Sequence, residues 1–371
     1  MSKLNKLAEY GQSVWLDYIS RSFVNEGKLS ALIEKGLRGV TSNPSIFEKA
    51  VQGGSEYDPE LKELVQKKHS VDAIYEAIVF EDIRRAADQL KPVYEKTGGI
   101  DGYVSLEVDP EIANDTGKTI EEGKRLFRSL NLPNIMIKVP ATPAGIPAIE
   151  QLISEGVNVN VTLIFGINQY QHVASAFLNG MENVAMNGPA DESGMPVDRI
   201  TSVASFFISR LDSAVDKELE RAGHNDLRGK IAVANAKATY QQFQNIFMSK
   251  RWEGLRNQGA KPQRLLWAST AVKNPAYPDT LYVDSLIGPY TVNTLPPETL
   301  DNFLDHGRLN QTLTYDAGEA HKQLEKLTET GIDLEEITDE LLDQGVEAFV
   351  KSFRSLKRSI AEKCERLSSH A

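Results

Sequence analysis

Eight short β-rich runs alternate with helical patterns along this chain, and few architectures accommodate that. The runs fall at residues 13–19, 39–44, 103–110, 134–141, 157–165, 201–208, 264–270 and 291–296. Helical patterns cover 3–10, 29–36, 45–96 (interrupted at Gly53-Gly54 and Pro59), 119–130, 145–155, 168–181, 211–222 and 281–287. One long helix is expected over 230–258, and a helical tail from about 297 ends in a long helix over 341–366. Strands separated by helices mark parallel βα units. Eight such units predict a closed α/β barrel of the (β/α)8 TIM type, with extra N- and C-terminal helices. An open doubly wound sheet is the alternative. It would usually carry a Gly-rich phosphate turn after its first strand, and neither that pattern nor a P-loop occurs here. With no internal repeat and no low-complexity stretch, one domain over 1–371 is expected. Its core spans about 11–310 and its helical C-terminal extension about 311–371. A Gly/Pro/Asp-rich loop is expected over 186–199.

The fourth run, Asn134-Ile135-Met136-Ile137-Lys138-Val139-Pro140-Ala141, holds a residue that does not belong. Lys138 lies inside an apolar strand, where burial disfavours the ammonium form. A neutral lysine attacks carbonyl carbon and forms a Schiff base. The plainer reading is a strand-end lysine that snorkels to water or holds a phosphate.

The other runs decide between them. Polar residues sit near the C-terminal ends of seven of the eight runs: Asp17, Asn43, Glu107, Lys138, Asn160 with Thr162, Ser205 and Ser269. A barrel gathers the C-terminal ends of its strands at one mouth, so these residues predict one shared pocket. Asp17 and Glu107, the acids inside apolar strands, are the candidates for proton transfer. Each could instead pair with Lys138 or cap a helix.

Composition narrows the partners. The net charge is -11 and no basic run of five or more occurs, which argues against nucleic acid or an anionic membrane. No apolar run approaches the length of a spanning helix. The N-terminal residues lack an apolar signal region, and the one cysteine, Cys364, has no intrachain partner. A cytoplasmic location is expected. The six histidines fall on predicted helices or loops, and no zinc-type spacing occurs. A carboxylate-only magnesium site from Asp17, Glu107 and Asp109 is compatible with the sequence, but Schiff-base chemistry does not require it. No metal and no organic cofactor are expected. A homo-oligomer is compatible with the sequence.

The runs also carry a resemblance. Gly39-Val40-Thr41-Ser42-Asn43-Pro44-Ser45, Val104-Ser105-Leu106-Glu107-Val108-Asp109, Ile137-Lys138-Val139-Pro140-Ala141 and Asn160-Val161-Thr162-Leu163-Ile164-Phe165 resemble successive strand motifs of the transaldolase family. Ser205-Phe206-Phe207-Ile208-Ser209-Arg210-Leu211-Asp212 and Trp267-Ala268-Ser269-Thr270 continue the series, in order, over about 11–310. Overall length and the long 183–199 loop resemble the longer bacterial branch. The resemblance implies an α/β barrel with the Schiff-base lysine on the fourth strand and a C-terminal helix near the mouth. It implies that Lys138 attacks the C2 ketone of a ketose phosphate. Asp17 would take the C4 hydroxyl proton, and Glu107 would act through a water held by Thr162. Thr41, Asn43, Asn160, Ser205 and Phe207 would bind the sugar, and Arg210, Ser269 and Lys273 its phosphate. The implied reaction moves a dihydroxyacetone unit between ketose and aldose phosphates, so the expected partners are small sugar phosphates.

Two departures stand out. Where the family commonly has Ser-Phe-Arg-Asn after the seventh strand, this chain has Ser269-Thr270-Ala271-Val272-Lys273-Asn274, so a lysine replaces the arginine. Phe206 stands where many members have proline. Two rival functions remain: an aldolase of the same superfamily that releases free dihydroxyacetone, and a non-catalytic sugar-phosphate binding barrel. Glu107 and Phe207 favour the transferase over the aldolase, whose members tend to carry Gln and Tyr there. A mere binder has no use for a desolvated amine between two acids.

Overall fold

Eight parallel strands close into a barrel in sequence order, as the alternating pattern predicts. They are β1 (Gln12–Leu16), β2 (Gly39–Val40), β3 (Tyr103–Glu107), β4 (Ile135–Pro140), β5 (Val159–Ile164), β6 (Ser202–Phe207), β7 (Arg264–Ala268) and β8 (Thr291–Leu295). The computed structural model describes residues 2–188 and 195–368. Residues 189–194 of the expected loop, and His370, lie outside the described residues. The barrel shuts where β1 pairs with β8, Val14 opposite Asn293 and Leu16 opposite Leu295. Strand residues are buried on both faces, as a parallel sheet wrapped by helices requires.

The strands are shorter than their apolar runs. β1 stops at Leu16 because Ser20 turns the chain into the helix Arg21–Asn25, its hydroxyl accepting from the Phe23 amide at 3.3 Å. β2 ends early for the same reason: Asn43 caps the helix Pro44–Gln52, with proline in its first turn. At the N-terminal end of the barrel, Asp101 is buried among donors. It accepts from Ser13 at 2.7 Å and from Trp15 at 3.2 Å, and pairs with Arg264 at 2.9 Å.

The single helix expected over 230–258 is two helices, Ile231–Phe247 and Lys250–Arg256. Ser249 makes the break. Its hydroxyl donates to the Ile246 carbonyl at 2.7 Å and accepts from the Trp252 amide at 3.3 Å. That caps a new helix and folds Trp252 back edge-on against Phe247, ring centroids 4.9 Å apart.

The terminal helix starts earlier than expected, at Leu334, and runs to Ser368. Asp333 anchors its start, accepting from the Glu335 and Glu336 amides at 2.9 and 3.2 Å. Leu342, Phe349, Phe353, Leu356 and Ile360 form its buried stripe, the spacing of one helical face. That face lies against the helix Pro44–Gln52, where the Ser45 hydroxyl donates to Ser352 at 2.7 Å. Lys363 pairs with Asp58 at 2.8 Å and donates to the Val51 carbonyl at 3.0 Å. Gly345 permits close approach to β5: a Cβ there would lie 2.8 Å from Leu163 Cδ2. Among the described residues no helix is long and apolar enough to cross a membrane.

Candidate functional site

Strand register assembles the site. Glu107 on β3 is opposite Lys138 on β4, which is opposite Asn160 on β5. Three polar side chains therefore stand side by side at one level of the barrel. Lys138 is 5% exposed, so it does not snorkel to water. Its Nζ donates to the Ser42 carbonyl at 3.3 Å and lies 3.8 Å from Glu107 Oε2. Phe349 of the terminal helix covers it, ring centroid 5.4 Å from Nζ. A lysine so placed meets one carboxylate at long range and an aromatic face.

A cavity of about 140 Å³ opens at the mouth. Asp17, Thr41, Asn43, Lys138, Thr162, Ser205, Phe207, Arg210, Ser269 and Lys273 all line it. Asp17 lies one residue beyond β1, and its amide continues the ladder to the Leu295 carbonyl at 2.8 Å. Thr41 donates to Asp17 Oδ1 at 2.7 Å and meets the Thr294 hydroxyl at 2.7 Å. Burial pushes the Asp17 carboxyl above the usual range, while Lys138, Thr41 and Arg210 pull it back. Asn43 spends its carbonyl on the Ile46 amide at 3.1 Å, so its NH2 group is the one left for the cavity.

Glu107 and Asn160 do not line the cavity themselves but flank Lys138, which does. Glu107 is 6% exposed, and neither carboxylate oxygen has a hydrogen-bond partner. Burial raises its pKa to about 7, against the pull of Lys138 and helped by the charge of Asp17. The Thr162 hydroxyl is likewise buried and unpartnered. Two unsatisfied groups of this kind are costly unless something else meets them. Asn160 bonds at both ends of its amide: it donates to Ser105 at 3.0 Å and accepts from Ser205 at 2.6 Å. It holds Ser205 in place under the cavity. Beside Thr162, β5 carries a bulge between Val161 and Ile164, with Leu163 at a φ of 61°. Such bulges re-aim side chains next to active sites.

The basic residues differ. Arg210, in the first turn of the helix Ser209–Ala222, stacks over Phe207 at 5.4 Å. Among the described residues it has no ion pair. Asp212 is not its partner, since that carboxylate accepts from Tyr282 at 2.8 Å and from the Ala232 amide at 3.2 Å. Lys273 is exposed on the loop after β7 and also has no ion pair among the described residues. Ser269 sits at a φ of 54°, its hydroxyl 2.9 Å from that of Ser209.

The magnesium alternative loses its geometry. Asp109 turns away to cap the short helix Pro110–Ile112, accepting from the Glu111 amide at 2.8 Å. Among the described residues no group of three or more His, Cys, Asp or Glu is placed to hold a metal ion. Five cavity residues escaped the sequence reading as site residues: Ala268, Ala271, Thr294, Pro296 and Phe349. Thr294 had a signal, as a hydroxyl near the end of the eighth strand. Phe349 had none, being one apolar residue among many on an amphipathic helix.

Known proteins resemble this chain in sequence. The family model described as "Transaldolase/Fructose-6-phosphate aldolase" matches residues 14–360. A protein of Trichodesmium erythraeum named transaldolase is 44% identical over 378 residues, covering 98% of each chain. One of Thermobifida fusca, also named transaldolase, is 46% identical over 368 residues, covering 97% of this chain and 98% of its own. A third, from Mycobacterium ulcerans, is 45% identical over 359 residues and covers 95% of both. With matches of this identity running nearly end to end, the chain belongs to the transaldolase family.

Proposed function

We propose that Lys138 is the Schiff-base nucleophile of a transaldolase, and that the residues around it divide the proton transfers between them. The observation that carries this is the buried Lys138 amine, beside Glu107 and beneath Phe349, in one cavity with Asp17. Lys138 attacks the C2 ketone of a ketose phosphate. Loss of water gives a protonated imine, an electron sink that lets the C3–C4 bond break once Asp17 takes the C4 hydroxyl proton. The raised Asp17 carboxyl suits a base that must give its proton back. Glu107, with a pKa of about 7, can hold a proton at neutral pH and supply it as the imine forms. Its unpartnered oxygens and the unpartnered Thr162 hydroxyl support a water between them.

Asn43, Thr41, Asn160 and Ser205 bind or brace the three-carbon unit, and Phe207 walls the cavity. Arg210, Ser269 and Lys273 bind phosphate. The donors are sedoheptulose 7-phosphate or fructose 6-phosphate, and the acceptors glyceraldehyde 3-phosphate or erythrose 4-phosphate. No metal or organic cofactor takes part in this scheme. We read residues 1–371 as a single domain, supported by the terminal helix's contacts with the Pro44–Gln52 helix. Phosphorylated sugars as substrates fit a cytoplasmic location.

Transfer and release are separable. Incubated with fructose 6-phosphate and erythrose 4-phosphate, the protein should form sedoheptulose 7-phosphate and glyceraldehyde 3-phosphate. With fructose 6-phosphate alone, steady release of free dihydroxyacetone at the rate of transfer would make it an aldolase instead.

A further inference from the structure

Glu107 lies 3.8 Å from Lys138 of the substrate cavity and borders two further hollows. A gap of about 10 Å³ lies among Ser42, Asn43, Tyr75, Leu106, Glu107 and Phe353. That is room for about one water molecule. Beyond it a cleft of about 520 Å³ runs past Asp109 and Lys118 between helices. The three hollows share walls. Asn43 borders both the substrate cavity and the gap. Tyr75, Leu106, Glu107 and Phe353 border both the gap and the cleft. The cleft is rimmed by charge pairs, Arg125 with Glu122 at 2.7 Å and Lys357 with Asp72 at 2.9 Å.

Two features suit this row to water. The Glu107 carboxylate, 6% exposed and without a hydrogen-bond partner, borders both the gap and the cleft. Tyr75, held edge-on against Phe353 with centroids 5.3 Å apart, narrows the junction between gap and cleft. Burial, with Asp109 and Glu107 nearby, pushes its phenol pKa up, so the hydroxyl remains a donor. The chemistry also needs such an outlet. Water is released at the imine carbon while the sugar occupies a cavity of only about 140 Å³.

We propose that this row of hollows is a solvent path, separate from the substrate mouth, by which the water of imine formation leaves and returns and Glu107 exchanges its proton. Tyr75 and Phe353 form its waist. The proposal rests on the Schiff-base reading above. In imine formation the carbinolamine hydroxyl takes the Glu107 proton and departs as water, and the nitrogen lone pair becomes the second C–N bond. Glu107 is left as carboxylate and the nitrogen as a cation. In hydrolysis water adds to that carbon, the C=N pair returns to nitrogen, and the water's proton goes to Glu107.

Oxygen exchange tests this. The protein is incubated with fructose 6-phosphate in heavy-oxygen water, and label at C2 of the recovered sugar is measured above the protein-free control. The rate of borohydride-trappable imine is measured in parallel. Tyr75→Trp and Phe353→Trp each narrow the waist without touching the cavity, and a thermal melt checks that they fold. Released water should then return to the same imine, so label gained per imine formed should fall about tenfold, an added barrier of about 1.4 kcal/mol to water escape. A wild-type ratio in a folded narrowing variant overturns the path. Absence of any trapped imine in the wild type would overturn the Schiff-base reading itself, and the path with it.

Discussion

Replacing Arg210 with alanine should damage the use of phosphorylated donors selectively. The guanidinium has no ion pair among the described residues and is steadied over Phe207 at 5.4 Å. Partial burial draws its pKa down, against Asp17 and Glu107, but a guanidinium keeps its charge in proteins. It is therefore a preorganised, partly desolvated fork, the form that grips phosphate through two parallel bonds. Losing a hydrogen bond to a charged group costs about 1.5–3 kcal/mol, or about 10- to 150-fold in kcat/KM. Lys273 is exposed on its loop, where water screens a point charge to about 0–1 kcal/mol, at most about fivefold. Arg210→Ala should thus exceed Lys273→Ala. The assay compares kcat/KM for fructose 6-phosphate with that for fructose in each variant. If both substitutions lower the two values equally, neither residue belongs to a phosphate clamp and the departure after β7 has no consequence there.

Other outcomes follow from the same geometry. Asp17→Ala should still be trapped by borohydride with donor, yet turn over at least ~100-fold more slowly, as expected for loss of a general base; a folded variant that forms no imine would place Asp17 earlier. Glu107→Gln should do the reverse and slow imine formation itself. Since the protonated Glu107 is the proton donor and its pKa is about 7, the pre-steady-state rate of imine formation should fall as pH rises through that value. In Glu107→Gln that inflection should vanish; its persistence assigns the proton to another group. Gly345→Val should overpack the contact with Leu163 and cost about 1–3 kcal/mol in denaturant unfolding, with activity falling as Phe349 shifts over Lys138.

Much of the barrel was legible because its signals are local. Each strand is a short β-former run, and turn residues such as Asn43-Pro44 mark where strand gives way to helix. The polar residues of seven strands stood out against apolar neighbours, and register does the rest by setting Glu107, Lys138 and Asn160 abreast. What stayed hidden depends on tertiary contact. The apolar rhythm of 230–258 continues through Met248, so only the Ser249 cap betrays the break. The bulge at Leu163 places a leucine in the left-handed region, which no propensity suggests. Phe349 reaches Lys138 only because the terminal helix docks over β5 through Gly345. The Asn160 bonds to Ser105 and Ser205 likewise arise only when β3, β5 and β6 come together.

The account's central claim is that one amine carries the covalent chemistry. Borohydride reduction in the presence of fructose 6-phosphate, followed by peptide mass mapping, tests it most directly. The reduced three-carbon or six-carbon adduct should sit on the peptide containing Lys138 and on no other, and Lys138→Ala should fold, take no label and lose turnover. Label on Lys273 or on a surface lysine, or turnover persisting in folded Lys138→Ala, would contradict it.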